Sequence, residues 1–208
     1  MISLKFPDGS ARDFESGVTG REVEEQIAKS LTKKAVAMEL DGQLRDLYEP
    51  IARMSETLFS GDSPLSMAER QFLFTYVSNL NACQYCFGGH AAVVEALGVE
   101  RAVLDAAIED IDAAPVEARL KPLLRYVRKL NEEPTRVAQA DADAVFQAGW
   151  DETALEHAIA LCCLANFMNR LVEGHGVEGR PEEFAARAKL AVEHGYLKPF
   201  LMKTGREA

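Results

Sequence analysis

Asn79-Leu-Asn-Ala-Cys83-Gln-Tyr-Cys86-Phe-Gly-Gly-His90 carries two cysteines three apart and a histidine four residues further on. Steps of three and four share one face of an α-helix. The spacing therefore predicts that Cys83, Cys86 and His90 line one helical face, with 79–82 supplying the turn and N-cap before it. The first thiol then falls in the first helical turn, where the helix dipole favours thiolate. Two thiols so placed can join in a disulfide, and an imidazole one turn on can move their protons.

The flanking sequence is helical on both sides. A helix is expected over 48–59, stopped by Ser60-Gly-Asp-Ser-Pro64. Ser66-Met-Ala-Glu69 is a capping box that opens a helix running to about Leu80. The helix carrying the cysteines runs to about Leu97 and ends at Gly98. Further helices are expected over 100–110, 116–131, 138–148, 152–174 and 181–194, with Pro115, Pro134, Gly149 and Pro181 at the breaks.

The first 47 residues read differently. Ile2, Leu4 and Phe6 alternate, Pro7-Asp-Gly-Ser10 is a turn, and Phe14 lies on a second short strand. Thr19-Gly-Arg-Glu22 is another capping box, with Val23, Ile27 and Leu31 forming an apolar stripe behind it. Val36, Met38 and Leu40 alternate again before the Asp41-Gly42 turn. The fold class is thus mainly all-α, over 48–208, preceded by a small α+β segment over 1–47. No flexible linker is expected between them.

Bulk properties narrow the function. The 208 residues are 48% hydrophobic and 27% charged, a globular composition. A net charge of −10 disfavours nucleic acid and anionic membrane as partners. No apolar run approaches the roughly 18 residues that span a bilayer, and the N-terminus has no signal-peptide core. The expected location is reducing cytoplasm, where a CxxC reads as metal-binding or redox rather than structural.

From about 48 to 200 the chain resembles the alkylhydroperoxidase D-like branch of the carboxymuconolactone decarboxylase superfamily, in its peroxidase-related group. The carriers are Ser63-Pro-Leu-Ser-Met-Ala-Glu69-Arg70, the Asn79–His90 stretch, Ala148-Gly-Trp150-Asp151 and Ala165-Asn166-Phe-Met-Asn169-Arg170-Leu-Val-Glu173-Gly174. The resemblance implies an all-α fold with a two-helix hairpin bearing the CxxC, homo-oligomeric assembly, and reduction of a hydroperoxide. It implies Cys86 as the peroxidatic thiol, Cys83 as the resolving thiol and His90 as the proton relay. The family's relay glutamate lies twelve residues before the first cysteine, which here is Gln71, a side chain that carries no proton. Glu69, two residues earlier, is acidic but faces elsewhere on a regular helix, and stands only as a group that could tune the site.

Residues 1–47 resemble the TGS domain, the ubiquitin-like module at the N-terminus of threonyl-tRNA synthetases. The carriers are Phe6-Pro-Asp-Gly-Ser10, Gly17-Val-Thr-Gly20, Ala28-Lys-Ser-Leu-Thr-Lys-Lys-Ala35 and Asp41-Gly-Gln-Leu-Arg-Asp46. That module closes with one more strand after the position of Pro50-Ile51, where this chain turns helical, so a truncated or adapted module is expected. No synthetase catalytic domain fits in the remainder.

The chemistry follows from the thiols. A peroxide oxidises one thiolate to a sulfenic acid, its neighbour condenses with it to a disulfide, and an external dithiol of lipoyl or thioredoxin type restores the pair. This requires no metal and no cofactor. The bland alternative is two core cysteines and a satisfied core histidine. Zinc would need a fourth ligand, from Cys162, Cys163 or His175. Covalent haem attachment fails because Phe87, not histidine, follows Cys86. Cys162 and Cys163 read as small core residues. Asn166, Asn169, Arg170 and Glu173 form a polar stripe that is either a pocket wall near the thiols or a solvated or oligomer face. Lys29, Lys33 and Lys34 read as a solvated face rather than a phosphate site, and His157 and His194 as surface or cap residues.

The expected function is therefore a thiol-dependent hydroperoxide reductase. Its rival is a redox-sensing or regulatory protein that uses the TGS-like segment to bind a partner, favoured by the glutamine at 71. Ring-opening or decarboxylation of a muconolactone ranks below both, because that branch does not depend on a CxxC.

Overall fold

The structure is a computed structural model and describes residues 2–5, 10–16, 37–40, 43–46 and 49–203. Strands β1 (Ile2–Lys5) and β2 (Ala11–Phe14) pair antiparallel with Ile2 opposite Phe14. Strands β3 (Ala37–Leu40) and β4 (Gln43–Asp46) form a second antiparallel hairpin with Leu40 opposite Gln43. These match the alternating patterns of the sequence. The helix expected behind Thr19 lies outside the described residues. Where a further strand would close the TGS-like module, α1 (Glu49–Ser60) begins instead.

Everything after this is helical. α2 (Met67–Leu80) is the central element, with each residue from Arg70 to Ser78 buried. A helix covered on all sides belongs in the core, and α1, α3, α4, α5 and α7 surround it. Its start is the expected capping box. The Ser66 hydroxyl accepts from the Glu69 N–H at 3.2 Å, and the Glu69 carboxylate accepts from the Ser66 N–H at 2.7 Å. α3 (Gln84–Ala96) folds back against α2 after a three-residue connection, and α4 (Arg101–Glu109) follows. α5 (Leu120–Glu132) begins four residues later than the sequence suggests. α6 (Gln139–Gln147), α7 (Glu152–Gly174) and α8 (Pro181–His194) match their expected spans to within a residue or so. A short α9 (Leu197–Lys203) was not expected.

The Ala148–Asp151 motif makes the corner between α6 and α7. Gly149 adopts φ 94°, which ends α6. The indole of Trp150 is buried and donates to the Arg119 carbonyl at 2.7 Å, while the Arg119 guanidinium lies 4.2 Å over its ring. The Asp151 carboxylate caps α7 by accepting from the Ala154 N–H at 2.8 Å. The motif is therefore architectural, and it anchors the helix whose far end reaches the thiols. No helix among the described residues is long and apolar enough to cross a membrane.

Candidate thiol site

The α2–α3 turn places the cysteines. Asn81 ends α2, and Ala82 adopts φ 55°, a left-handed conformation that costs a non-glycine residue about 1 kcal/mol. This reversal makes Cys83 the N-cap of α3, in extended conformation (φ −82°, ψ 97°), rather than a residue of the first helical turn as the spacing suggested. Its N–H donates to the Ser78 carbonyl at 3.1 Å, and its own carbonyl accepts the first helical bond, from Phe87, at 2.9 Å. Cys86 and His90 do share a helical face, one turn apart. Cys86 is thus the thiol in the first turn of the helix.

Both cysteines are free thiols and buried, Cys83 completely and Cys86 with 4% exposure. They lie three residues apart, Cys83 as the N-cap and Cys86 in the first turn of α3. Burial pushes the Cys83 thiol up to about 12, helped by the nearby Glu173 carboxylate. Burial likewise raises the Cys86 thiol, against a hydrogen bond from Asn169 that favours its thiolate. The helix start and the imidazole were expected to lower these thiols; desolvation outweighs them and favours the thiol form of both.

His90 is walled by aromatic rings. Its centroid lies 4.1 Å from that of Phe74, 5.1 Å from Phe59 and 5.9 Å from Tyr196. Its Nδ1 pairs with Gln71 Oε1 at 2.7 Å, and Gln71 Nε2 donates to the Tyr196 hydroxyl at 2.8 Å. With the amide in this orientation, the imidazole N–H sits on Nδ1 and Nε2 is left as the acceptor. Desolvation holds the imidazole down at about 3, so it stays neutral through the physiological range. Gln71 therefore orients the ring, but supplies no charge to stabilise an imidazolium.

The consequence for stability has a definite sign. A histidine whose folded-state value lies below its unfolded value costs stability as pH falls through the unfolded value near 6.5. Wild type is expected to lose up to about 1.4 kcal/mol per pH unit between pH 6 and 4 from this residue alone. A His90→Gln variant should lack that component. Urea unfolding at several pH values checks it, and equal acid sensitivity in the two proteins would show that the imidazole is not desolvated.

Tyr196, absent from the sequence reading, is delivered by the chain end. The Glu56 carboxylate of α1 accepts from the Tyr196 N–H at 2.5 Å and the Leu197 N–H at 2.9 Å. Gly195 adopts φ 71°, and a Cβ there would collide with that carboxylate. The clasp holds the Tyr196 ring 4.7 Å from Phe59 and beside the imidazole.

Cys86 and His90 both line a cavity of about 190 Å³ whose other walls include Phe74, Leu164, Met168 and Phe184. Phe184 of α8 packs against Gly88 so closely that a Cβ at Gly88 would overlap its ring. Arg187, at the same cavity, donates to the Tyr85 hydroxyl at 2.7 Å and pairs with Glu183.

The polar stripe of α7 does reach the thiols. Asn169 is buried, lies close enough to Cys86 to favour its thiolate, and donates to the Ser78 hydroxyl at 3.1 Å. It also accepts from Asn81 at 2.9 Å, and Asn81 accepts from Asn131 at 3.2 Å. Asn166 donates to Asn131 at 2.6 Å and accepts from Arg170 at 2.7 Å. This ladder of amides ties α2, α5 and α7 together beside Cys86. Glu69, in contrast, is engaged by the capping box and a 2.9 Å ion pair with Arg119, and is not brought to the thiols. Cys162 is buried as expected, but Cys163 is exposed because neighbouring residues diverge by about 100° on a helix. No group of three or more His, Cys, Asp or Glu among the described residues could hold a metal ion.

The helical part of the chain has structural counterparts. The helical part has the fold of AhpD-like, peroxidase-related proteins. An uncharacterized peroxidase-related protein from Silicibacter sp. TM1040 superposes with a TM-score of 0.61 at 22% identity, covering 67% of this chain and 72% of that one. An alkylhydroperoxidase AhpD core protein, also peroxidase-related and uncharacterized, from Ralstonia eutropha JMP134 gives 0.62 at 20% identity, covering 68% and 74%. The N-terminal region is similar to threonine–tRNA ligase of Sinorhizobium fredii, 67% identical over 51 residues. That match covers 24% of this chain and spans 8% of the ligase's length. No protein-family profile matches the chain.

Proposed function

We propose that the protein is a thiol-dependent hydroperoxide reductase that turns over slowly. The reading is carried by one observation: two buried free thiols at the start of one helix, one of which lines an apolar cavity together with an imidazole. In the first step the Cys86 sulfur attacks the distal peroxide oxygen. An S–O bond forms, the O–O bond breaks, and the leaving alkoxide takes the thiol's proton by way of His90 Nε2, giving an alcohol and a sulfenic acid. In the second, Cys83 displaces water from that sulfenic acid and a disulfide forms. A dithiol of lipoyl or thioredoxin type then returns both electrons. The apolar walls favour an organic hydroperoxide over hydrogen peroxide. The amide ladder and Gln71 act by position, holding the thiol and the ring. Homo-oligomeric assembly belongs to the same reading.

The raised thiols and the uncharged Gln71 set the rate. Only a small fraction of Cys86 is thiolate at pH 7, so peroxide reactivity should climb with pH toward the alkaline range. The same two features support the rival reading, a redox sensor that oxidises once and waits. Steady-state consumption of cumene hydroperoxide, with reduced lipoyl or thioredoxin systems and thiol titration of the same sample, separates them. Loss of two thiols with continued turnover is the expected result. Loss of two thiols without turnover under any donor supports the sensor, and no thiol loss overturns both.

A further inference from the structure

α8 lays one face over the cavity that Cys86 and His90 line, and Phe184, Arg187, Ala188 and Ala191 all belong to the wall. Ala188 and Ala191 pack with Val93 of α3, and the Phe184 ring fills the slot over Gly88. These contacts fix the register of α8, so Arg187 is held at the cavity rather than swinging clear of it. Its Nη1 donates to the hydroxyl of Tyr85, the residue before Cys86, at 2.7 Å, and its Nη2 to the Glu183 carboxylate at 2.6 Å. The Nε–H and the second N–H of each terminal nitrogen have no partner among the described residues. The other Glu183 oxygen pairs with Arg180, so two guanidiniums share one carboxylate and the trio is cationic, in a chain of net charge −10. Among the residues of the wall, Arg187 alone carries a permanent charge. Glu56, the carboxylate that clasps the Tyr196 and Leu197 N–H groups, is not part of the wall.

We propose that the site takes a hydroperoxide that also carries a carboxylate, with the peroxide at Cys86 and the carboxylate at Arg187. The proposal rests on the peroxidase reading above and adds the substrate class to it. The apolar walls suit the hydrocarbon between the two polar ends, and a carboxylate inside them would be satisfied only at the guanidinium. The cavity of about 190 Å³ is smaller than the roughly 300–1,000 Å³ that houses a drug-sized ligand, so a compact acid fits it better than a long-chain lipid. One surplus positive charge matches a monoanion better than a doubly charged phosphate. Arg187 is about half-exposed, so the pair keeps part of its water; it selects and orients the substrate more than it tightens binding. The O–O bond is reduced as described above, and the carboxylate leaves unchanged on the alcohol product.

The test uses the reduced full chain with Cys163→Ser, which removes the exposed thiol, and two hydroperoxides of one skeleton: 4-carboxycumene hydroperoxide and its methyl ester. The quantity read is the ratio of their rate constants for thiol oxidation, acid over ester. With arginine at 187 the acid is expected to be favoured about fivefold at low ionic strength, and the preference should shrink as salt is added. Arg187→Gln should bring the ratio to about one, Arg187→Lys should keep most of the preference, and Arg187→Glu should invert it. A merely structural role would lower both rates together and leave the ratio where it was. A ratio near one with arginine present, a ratio unchanged in Arg187→Gln, or a lysine variant no better than glutamine each overturns the proposal. Isopropylbenzoate and isopropylbenzamide, which hold no peroxide, read the same anchor by protecting Cys86 from iodoacetamide at alkaline pH. The acid should protect at about a fifth of the concentration the amide needs, and this advantage should vanish in Arg187→Gln. Equal protection by the two overturns the proposal. Acid-selective protection without any hydroperoxide consumption supports the anchor and overturns the peroxidase reading instead.

Discussion

Serine at position 86 is expected to lower hydroperoxide consumption by at least about a thousandfold, because the nucleophile that breaks the O–O bond is gone. A hydroxyl is close in shape to the thiol and can accept from Asn169, so the fold should survive at a cost of about 1 kcal/mol. Serine at position 83 gives a different result. Cys86 should still react, but its sulfenic acid would persist without a partner, trappable by a dimedone-type reagent, and one thiol rather than two would be lost. The contrast assigns the roles. Cys86 is chosen as the attacking thiol because it lines the cavity and sits in the first turn of α3, whereas Cys83 is sealed behind it. Stopped-flow peroxide consumption and thiol titration on both variants check this. If the Cys86→Ser protein turns over as well as wild type, the assignment is wrong.

The second large effect should come from Gln71→Glu. The imidazole must accept the Cys86 proton and release it to the leaving oxygen, and with an amide partner its protonated form is strongly disfavoured. A carboxylate 2.7 Å from Nδ1 would attract the imidazolium and lift its low value toward neutrality. Reactivity with organic hydroperoxide at pH 7 should rise by about ten- to a hundredfold. The NMR titration of His90 should move upward with it, and the acid-induced loss of stability assigned to His90 should shrink. Stability at pH 7 should fall by a few kcal/mol if the new pair stays dry, because two charges are then desolvated. Unchanged reactivity in a folded variant whose histidine has become basic would remove His90 from the proton path.

Local features of the site were legible from the amino-acid order. The Ser66–Glu69 capping box joins side chains to backbone three residues away, and the break at Gly149 needs only a glycine; both are local and repeat wherever helices begin or end. The α7 stripe could be seen as a pattern, but whether it faced solvent or the thiols depended on what α7 packs against. Tyr196 could not be found at all. It is 106 residues from His90, in a stretch beyond 194 where no element is expected from the sequence. Cys83 was placed one conformational state away from its actual one, because a single left-handed alanine resets the helix start.

The order of residues alone determined that this chain is mostly helical, that a thiol pair begins one of its helices, and that position 71 lacks a titratable group. Those are properties of periodicity and of side-chain identity, and both are local. Only the tertiary structure decided that the thiols are harder to ionise than free cysteine and that the imidazole is held neutral. The physical reason is desolvation: the cost of a charge depends on how much water its neighbours exclude, and those neighbours come from helices far apart in the chain.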